Sequence, residues 1–185
     1  GNTFGADALL NFSGIWKFSI EGFFNFNKEP IADWIDTDQI FGNYSVKLDG
    51  ESFNGYSFFS EIRRETETWK SFIQYKAISD DFRSDIGFVT KNDIKQYDFW
   101  HSFYQYPNRK CLQNYRVSFR HEQTYDHDKV LKRASSQLYL QFLTLGDTNV
   151  FYNYEYNWKK SHLDFKFEDF INHYLRIGGK PLSFM

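Results

Sequence analysis

The chain is expected to be all-β: an antiparallel up-and-down meander that forms a β-barrel or part of one. Three observations carry this expectation. Strand-length stretches in which every second residue is apolar run from one end of the sequence to the other, and period two marks a strand with one apolar and one polar face. Aromatic residues dominate those stretches. With 22 Phe, 13 Tyr and 5 Trp but only 3 Pro and 1 Met in 185 residues, β-forming side chains fill the places where a helical protein carries Ala, Leu and Met. Finally, the alternating stretches are separated by short turns rich in Gly, Asn and Asp, and sequential hairpins make a meander the simplest topology.

The elements follow in order. Phe4, Ala6, Ala8, Leu10 and Phe12 share one face of a first strand, Thr3 to Phe12. The turn at Ser13-Gly14 pairs them with a strand from Ile15 to Phe26 carrying Trp16, Phe18 and Ile20. Alternation fails from Asn27 to Asn43, where Lys28, Glu29, Pro30, Asp33, Asp36 and Asp38 predict a polar loop with one helical turn around Ala32 to Ile35. A strand from Tyr44 to Leu48 and a turn at Asp49-Gly50 come next. Tyr56, Phe58, Ser60 and Ile62 then enter a hairpin closed by Glu65-Thr66-Glu67, which returns through Trp69, Ser71, Ile73, Tyr75 and Ala77.

After a second excursion, Ile78 to Asn92, strands are expected from Ile94 to Tyr106 and from Leu112 to Tyr125, with a turn near Pro107-Asn108 between them. Asp126-His127-Asp128-Lys129 reads as a solvated turn. Leu138, Leu140 and Phe142 form one strand face. Val150, Tyr152, Tyr154, Tyr156 and Trp158 form another; Leu163, Phe165 and Phe167 a third; and a last extended piece runs from Tyr174 to Ile177. About nine or ten strands result, without an internal repeat or linker, so residues 1–185 are read as one domain. The abrupt start at Gly1, two residues before a strand, suggests a piece of a longer chain.

Charge and cysteine content narrow the function classes. A net charge of -2, from 22 basic and 24 acidic residues, provides no global field to attract nucleic acid, which is not an expected partner. The single Cys111 excludes an internal disulfide and a thiolate-clustered metal site. No apolar run reaches the ~18 residues of a transmembrane helix, yet this says nothing against a membrane β-barrel, whose strands alternate lipid-facing with lumen-facing residues.

Two stretches carry a family resemblance: Asn2-Thr3-Phe4-Gly5-Ala6-Asp7 at the first strand, and residues 78–89, Ile-Ser-Asp-Asp-Phe-Arg-Ser-Asp-Ile-Gly-Phe-Val. Both resemble the barrel-forming C-terminal domain of unknown function of Bacteroidota-type outer-membrane proteins that carry an N-terminal family-9 carbohydrate-binding-like module. The run Tyr154 to Phe167 and the closing residues 180–184 are similar to that family's later strands. The resemblance implies an outer-membrane location, membrane lipid as a partner, and a link to polysaccharide handling. The second block also has a physical reading of its own. Asp81, Phe82, Arg83, Asp85, Gly87 and Phe88 suit a structural loop or plug anchor, with Arg83 near two carboxylates, Gly87 at a tight backbone position and the Phe side chains as apolar anchors. Asp80, Asp81 and Asp85 lack the spacing and terminal Glu of an EF-type calcium loop.

Catalytic motifs are absent. His101, His121, His127, His162 and His173 fall in no zinc-binding spacing, and no G-x-S-x-G, Walker or dinucleotide motif occurs, so neither metal nor cofactor is expected. Glu21, Glu61 and Glu155 lie on polar strand faces and are the carboxylates from which a glycosidase pair would have to come. The aromatic stripes admit three readings: a buried core, a lipid-facing band, or a sugar-stacking platform. Strand lengths near 10, with Trp16, Phe26, Trp69 and Trp158 toward strand ends, favour the lipid-facing band. The expected function is an outer-membrane barrel segment with a binding, passage or anchoring role and no catalytic centre of its own. The alternatives are a soluble periplasmic or extracellular carbohydrate-binding module and a polysaccharide-active hydrolase domain.

Overall fold

Local turn chemistry starts the sheet. The computed structural model describes residues 2–28, 30–32, 38, 40–41, 44–45, 47–82, 92–107, 109, 112–144, 148–160 and 167–179. Ser13 (φ 54°) and Gly14 (φ 63°) both occupy the left-handed region that a tight hairpin turn requires. They join β1 (Asn2–Phe12) to β2 (Trp16–Lys28) in the register expected from the alternation: Phe12 opposite Trp16, Leu10 opposite Phe18, Ala8 opposite Ile20. A slip of one residue would turn every apolar side chain to the polar face, so the two-face pattern itself fixes this register.

The segment that follows departs from expectation. In place of one strand from Tyr44 to Leu48 there are two nested ladders: β3 (Ile31–Ala32) pairs with β6 (Leu48–Asp49), and β4 (Ile40–Phe41) pairs with β5 (Tyr44–Ser45). Polar side chains compete with a longer ladder here. The Ser45 hydroxyl donates to the Asp49 carboxylate at 2.9 Å, and the Ser45 N–H donates to the Glu51 carboxylate at 2.9 Å. Ala32, expected in a helical turn, is extended; the remainder of that turn lies outside the described residues.

Seven long strands complete the main sheet: β7 (Ser52–Glu65), β8 (Trp69–Ile78), β9 (Ile94–Gln105), β10 (Asn114–Tyr125), β11 (Leu131–Leu143), β12 (Asn149–Lys160) and β13 (Phe167–Gly178). Their order is β1-β2-β7-β8-β9-β10-β11-β12-β13, every pair is antiparallel, and no helix occurs among the described residues. The up-and-down meander is thus the architecture, with β1 and β13 as the sheet edges. Two strands are longer than their clearest alternation. β11 begins at Leu131, ahead of the Leu138 to Phe142 core of the pattern, because Ser135 and Ser136 continue the ladder despite their small polar side chains. β13 contains the expected Tyr174 to Ile177 piece within twelve residues, whereas 161–166 fall outside the described residues.

The connections differ between the two ends of the sheet. At one end β1 joins β2, β7 joins β8, β9 joins β10 and β11 joins β12; at the other β2 leads to β7 over 23 residues, β8 to β9 over 15, β10 to β11 over five and β12 to β13 over six. The first is the short-turn end. The second holds the two longest excursions.

Residues of the two faces differ in kind. Across registers, one face collects Asn25, Glu61, Gln74, Asp98, Ser118, Gln137 and Asn157, and the other collects Phe24, Ile62, Ile73, Phe99, Phe119, Leu138 and Tyr156. Burial runs opposite to that of a water-soluble sheet. Asn25, Asp98, Ser102, Ser118 and Asn157 are buried on the polar face, while Phe24, Ile73, Leu175 and Ile177 are all more than half exposed on the apolar one. No second sheet covers the apolar face among the described residues; Trp16, Phe18 and Tyr154 are half-buried only by neighbours in their own sheet.

The turn at Asp126 corrects a second expectation. It is not simply solvated: Asp126 is buried, accepts from the Val130 N–H at 2.7 Å, and pairs with Lys132 at 2.7 Å. Burial raises its carboxyl pKa, but the Lys132 ammonium and the backbone donors outweigh burial and hold it below the usual 3.8. A depressed carboxyl stabilises the fold above its unfolded pKa and loses that contribution as pH falls through the folded one. Asp126→Asn is therefore expected to cost about 1 kcal/mol at pH 7 and less at about pH 3, where the contribution is being lost as pH falls toward the folded pKa. Urea unfolding at the two pH values checks this; an equal cost at both would contradict it.

Candidate functional site

The polar face is built by alternation: each strand of β2 and β7 to β13 contributes every second residue, and registers place charged and aromatic side chains in adjoining columns. On β7, Arg63 makes a bidentate pair with Glu61, Nε to Oε1 at 2.7 Å and Nη2 to Oε2 at 2.8 Å, and lies 3.8 Å from Glu65. Gln74 also donates to Glu61. Lys17 reaches Glu65 at 3.3 Å. Toward the long-loop end, Arg120 grips the buried Asp98 through Nε at 3.0 Å and Nη2 at 2.5 Å, and Glu122 lies between Arg120 and Arg133.

Between these pairs runs a continuous ladder of rings and guanidinium groups. Arg63 sits over Phe72 at 5.4 Å, Phe72 stacks on Trp100 at 5.4 Å, and Arg116 lies 5.8 Å from Trp100 and 4.8 Å from Tyr139. The ladder continues through Tyr139 to Phe151 at 4.5 Å and Phe151 to Tyr174 at 5.6 Å, so that it crosses every strand from β7 to β13. Arg116 is held flat. Its Nε donates to Ser102 Oγ at 3.0 Å and Ser118 Oγ at 2.8 Å, those hydroxyls bond each other at 2.6 Å, and Tyr104 lies 5.1 Å away. A cleft of about 620 Å³ opens beside it, lined by Tyr139, Gln141, Asn149, Phe151, Tyr174 and Arg176.

Of the three carboxylates singled out in the sequence, all lie on this face, but they do not form one centre. Glu21 and Glu61 are diagonal neighbours on β2 and β7, and both oxygens of Glu61 are taken up by Arg63 and Gln74. Glu155 is on β12, five strands from β7. The anchor segment is described in part. Phe82 is buried, Ser79 exchanges hydrogen bonds with the Tyr56 backbone, and the Asn92 amide donates to the Phe82 carbonyl. Arg83, Asp85, Gly87 and Phe88 lie outside the described residues, as does Cys111. Asp81 bonds locally, its N–H donating to Asp80 Oδ1 at 3.1 Å. No group of metal-ligating side chains occurs among the described residues.

Gly55 explains how residues 79–82 lie on the sheet. A Cβ there would collide with the backbone of Phe82 and Asp81, so only glycine lets this segment lie directly on β7. Gly55→Ala is expected to cost about 1–3 kcal/mol through overpacking and to loosen residues 79–82 for limited proteolysis. Unchanged cleavage and stability would contradict the docking.

The apolar face is ordered too. Trp69 packs on Phe103 at 4.5 Å, Phe103 on Tyr115 at 6.2 Å and Tyr115 on Phe142 at 6.4 Å, making an aromatic row near the short-turn end. Tyr75, Tyr97 and Tyr125 make a second row near the other end, at 5.0 and 6.2 Å. Between them three histidines are hydrogen-bonded: His101 with Ser71 at 2.9 Å, His121 with Ser136 at 2.8 Å, and His173 with Tyr152 at 2.9 Å.

The sequence reading missed the Arg116 cluster. Its signal was present in the alternation of Arg116, Ser118, Arg120 and Glu122 along one strand, but its partners sit on β9 and β11 and are set by register alone. Comparison of this chain with known protein families, with curated proteins and with solved structures finds no match.

Proposed function

We propose that this chain is a segment of an outer-membrane β-barrel, with its apolar face toward lipid and its polar face toward a water-filled interior in which solutes bind or pass. The single observation that carries the reading is the inverted burial: small polar side chains are shielded on one face while large apolar ones project unshielded from the other. Further features support it. The apolar stretch of β2 from Trp16 to Phe26 is about 34 Å long at ~3.4 Å per residue, which at a tilt of about 40° spans roughly 25 Å, the height of a barrel's apolar band. Aromatic rows at both ends match the girdles at membrane interfaces, and hydrogen-bonded His pairs between them suit a face without water. One end has short turns and the other long excursions, as transmembrane barrels do. The motif resemblance to the barrel-forming domain of Bacteroidota-type outer-membrane proteins agrees with this assignment.

Fractionation of expressing cells tests the proposal. The chain is expected in the outer-membrane fraction, released by detergent and not by high salt or carbonate. A monodisperse monomer in detergent-free buffer would overturn it and favour the soluble binding module.

A further inference from the structure

Several carboxylates on the polar face are paired. Glu61, Glu65, Asp98 and Glu122 each lie within 4.0 Å of a cation. Arg116 and Arg176 lie within salt-bridge distance of no carboxylate among the described residues, and the only side-chain hydrogen bonds of Arg116 use its Nε. Its two terminal nitrogens have no hydrogen-bond partner among the described residues. Register places both arginines in one row across the sheet: Arg116 opposite Gln141, Gln141 opposite Phe151, Phe151 opposite Arg176. Three strand spacings separate them, about 14 Å along the sheet.

We infer that the cleft lined by Arg176, with Arg116 beyond its Tyr139 wall, is a binding site for an acidic saccharide, one that carries carboxylates on its sugar rings. The inference deepens the proposed binding or passage role and rests on the polar face being open to water. Tyr139, Phe151 and Tyr174 supply flat apolar faces for the C–H faces of pyranose rings. Gln141 and Asn149 supply amides for hydroxyl groups, already oriented by Tyr139 Oη donating to Gln141 at 3.1 Å and Gln141 donating to Asn149 at 3.3 Å. Two guanidinium forks at the ends of the row match carboxylates, and the three rings around Arg116 fix its plane in advance. A volume of about 620 Å³ admits a ligand of one to three rings.

Isothermal titration of the full chain in detergent micelles, or in plain buffer if it proves soluble, tests the site independently of location. Trigalacturonate is expected to bind. Maltotriose, of equal length but uncharged, is expected to bind at least tenfold more weakly, and sodium sulfate at equal ionic strength is expected not to displace trigalacturonate. Arg176→Gln and Arg116→Gln should each weaken trigalacturonate about tenfold or more, with Arg176, on the edge strand, as the variant that leaves the fold intact. No heat of binding with trigalacturonate would overturn the inference. Equal binding of maltotriose would overturn the acidic specificity, displacement by sulfate would reduce the site to a simple anion site, and an unchanged affinity of folded Arg176→Gln would remove the two-arginine geometry. Failure of any of these leaves the fractionation result untouched.

Discussion

Ile73→Arg is expected to cost about 2–4 kcal/mol when the chain is folded into lipid vesicles, because under the proposed function the substitution sets a charge at mid-strand on a lipid-facing surface. Ile73 lies near the middle of β8, is 57% exposed, and faces away from Gln74 and its partner Glu61. In water such a position is forgiving, and the same change would stay within about 0.5 kcal/mol. Equilibrium urea unfolding from vesicles, with Gln74→Arg on the opposite face as the control, reads the difference. The account expects a large cost at 73 and a small one at 74; equal small costs would mean that the apolar face meets water.

Asp98→Ala is the second large effect. Asp98 is buried on the polar face and holds Arg120 through two charge-assisted hydrogen bonds. Removing one partner of a fully buried pair costs about 3–5 kcal/mol, but the Arg120 side chain is 46% exposed and water can solvate the freed cation, so about 2 kcal/mol is expected. A double-mutant cycle with Arg120→Met isolates the pair from the lost packing of either side chain. A coupling energy below about 0.5 kcal/mol would show that the pair contributes to shape alone.

The strand architecture was legible because period-two alternation is a local property. Phe4 to Phe12 against Trp16 to Ile20 could be paired on paper, since a Ser-Gly turn leaves few registers open and the wrong ones bury the wrong face. Legibility ended where side chains rather than pattern decide. Glu51 and Asp49 accept locally from the Ser45 N–H and hydroxyl and break an expected strand into two-residue ladders. Asp126 looks like any turn aspartate in sequence, and only the fold brings Lys132 and the Val130 N–H onto it. The site was legible in halves. Residue types on the polar face were readable, but Arg116 acquires its meaning from Ser102, Trp100 and Tyr139 on two other strands, and Glu61 loses its candidacy as a catalytic acid through Arg63, two residues along its own strand. Sequence alternation names the face; it does not say which charges on that face are already paired.

The most direct test of the two-faced sheet is spin-label accessibility at consecutive residues of one strand. Labels at Gln137 and Leu138 of β11, in a chain whose Cys111 is replaced by Ser and which is folded into lipid vesicles, point to opposite faces. The account expects the label at 138 to be relaxed by oxygen and shielded from a water-soluble nickel chelate, and the label at 137 to show the reverse. Both labels open to the nickel chelate, or a label at 138 shielded from oxygen and nickel alike, would contradict a lipid-facing apolar surface.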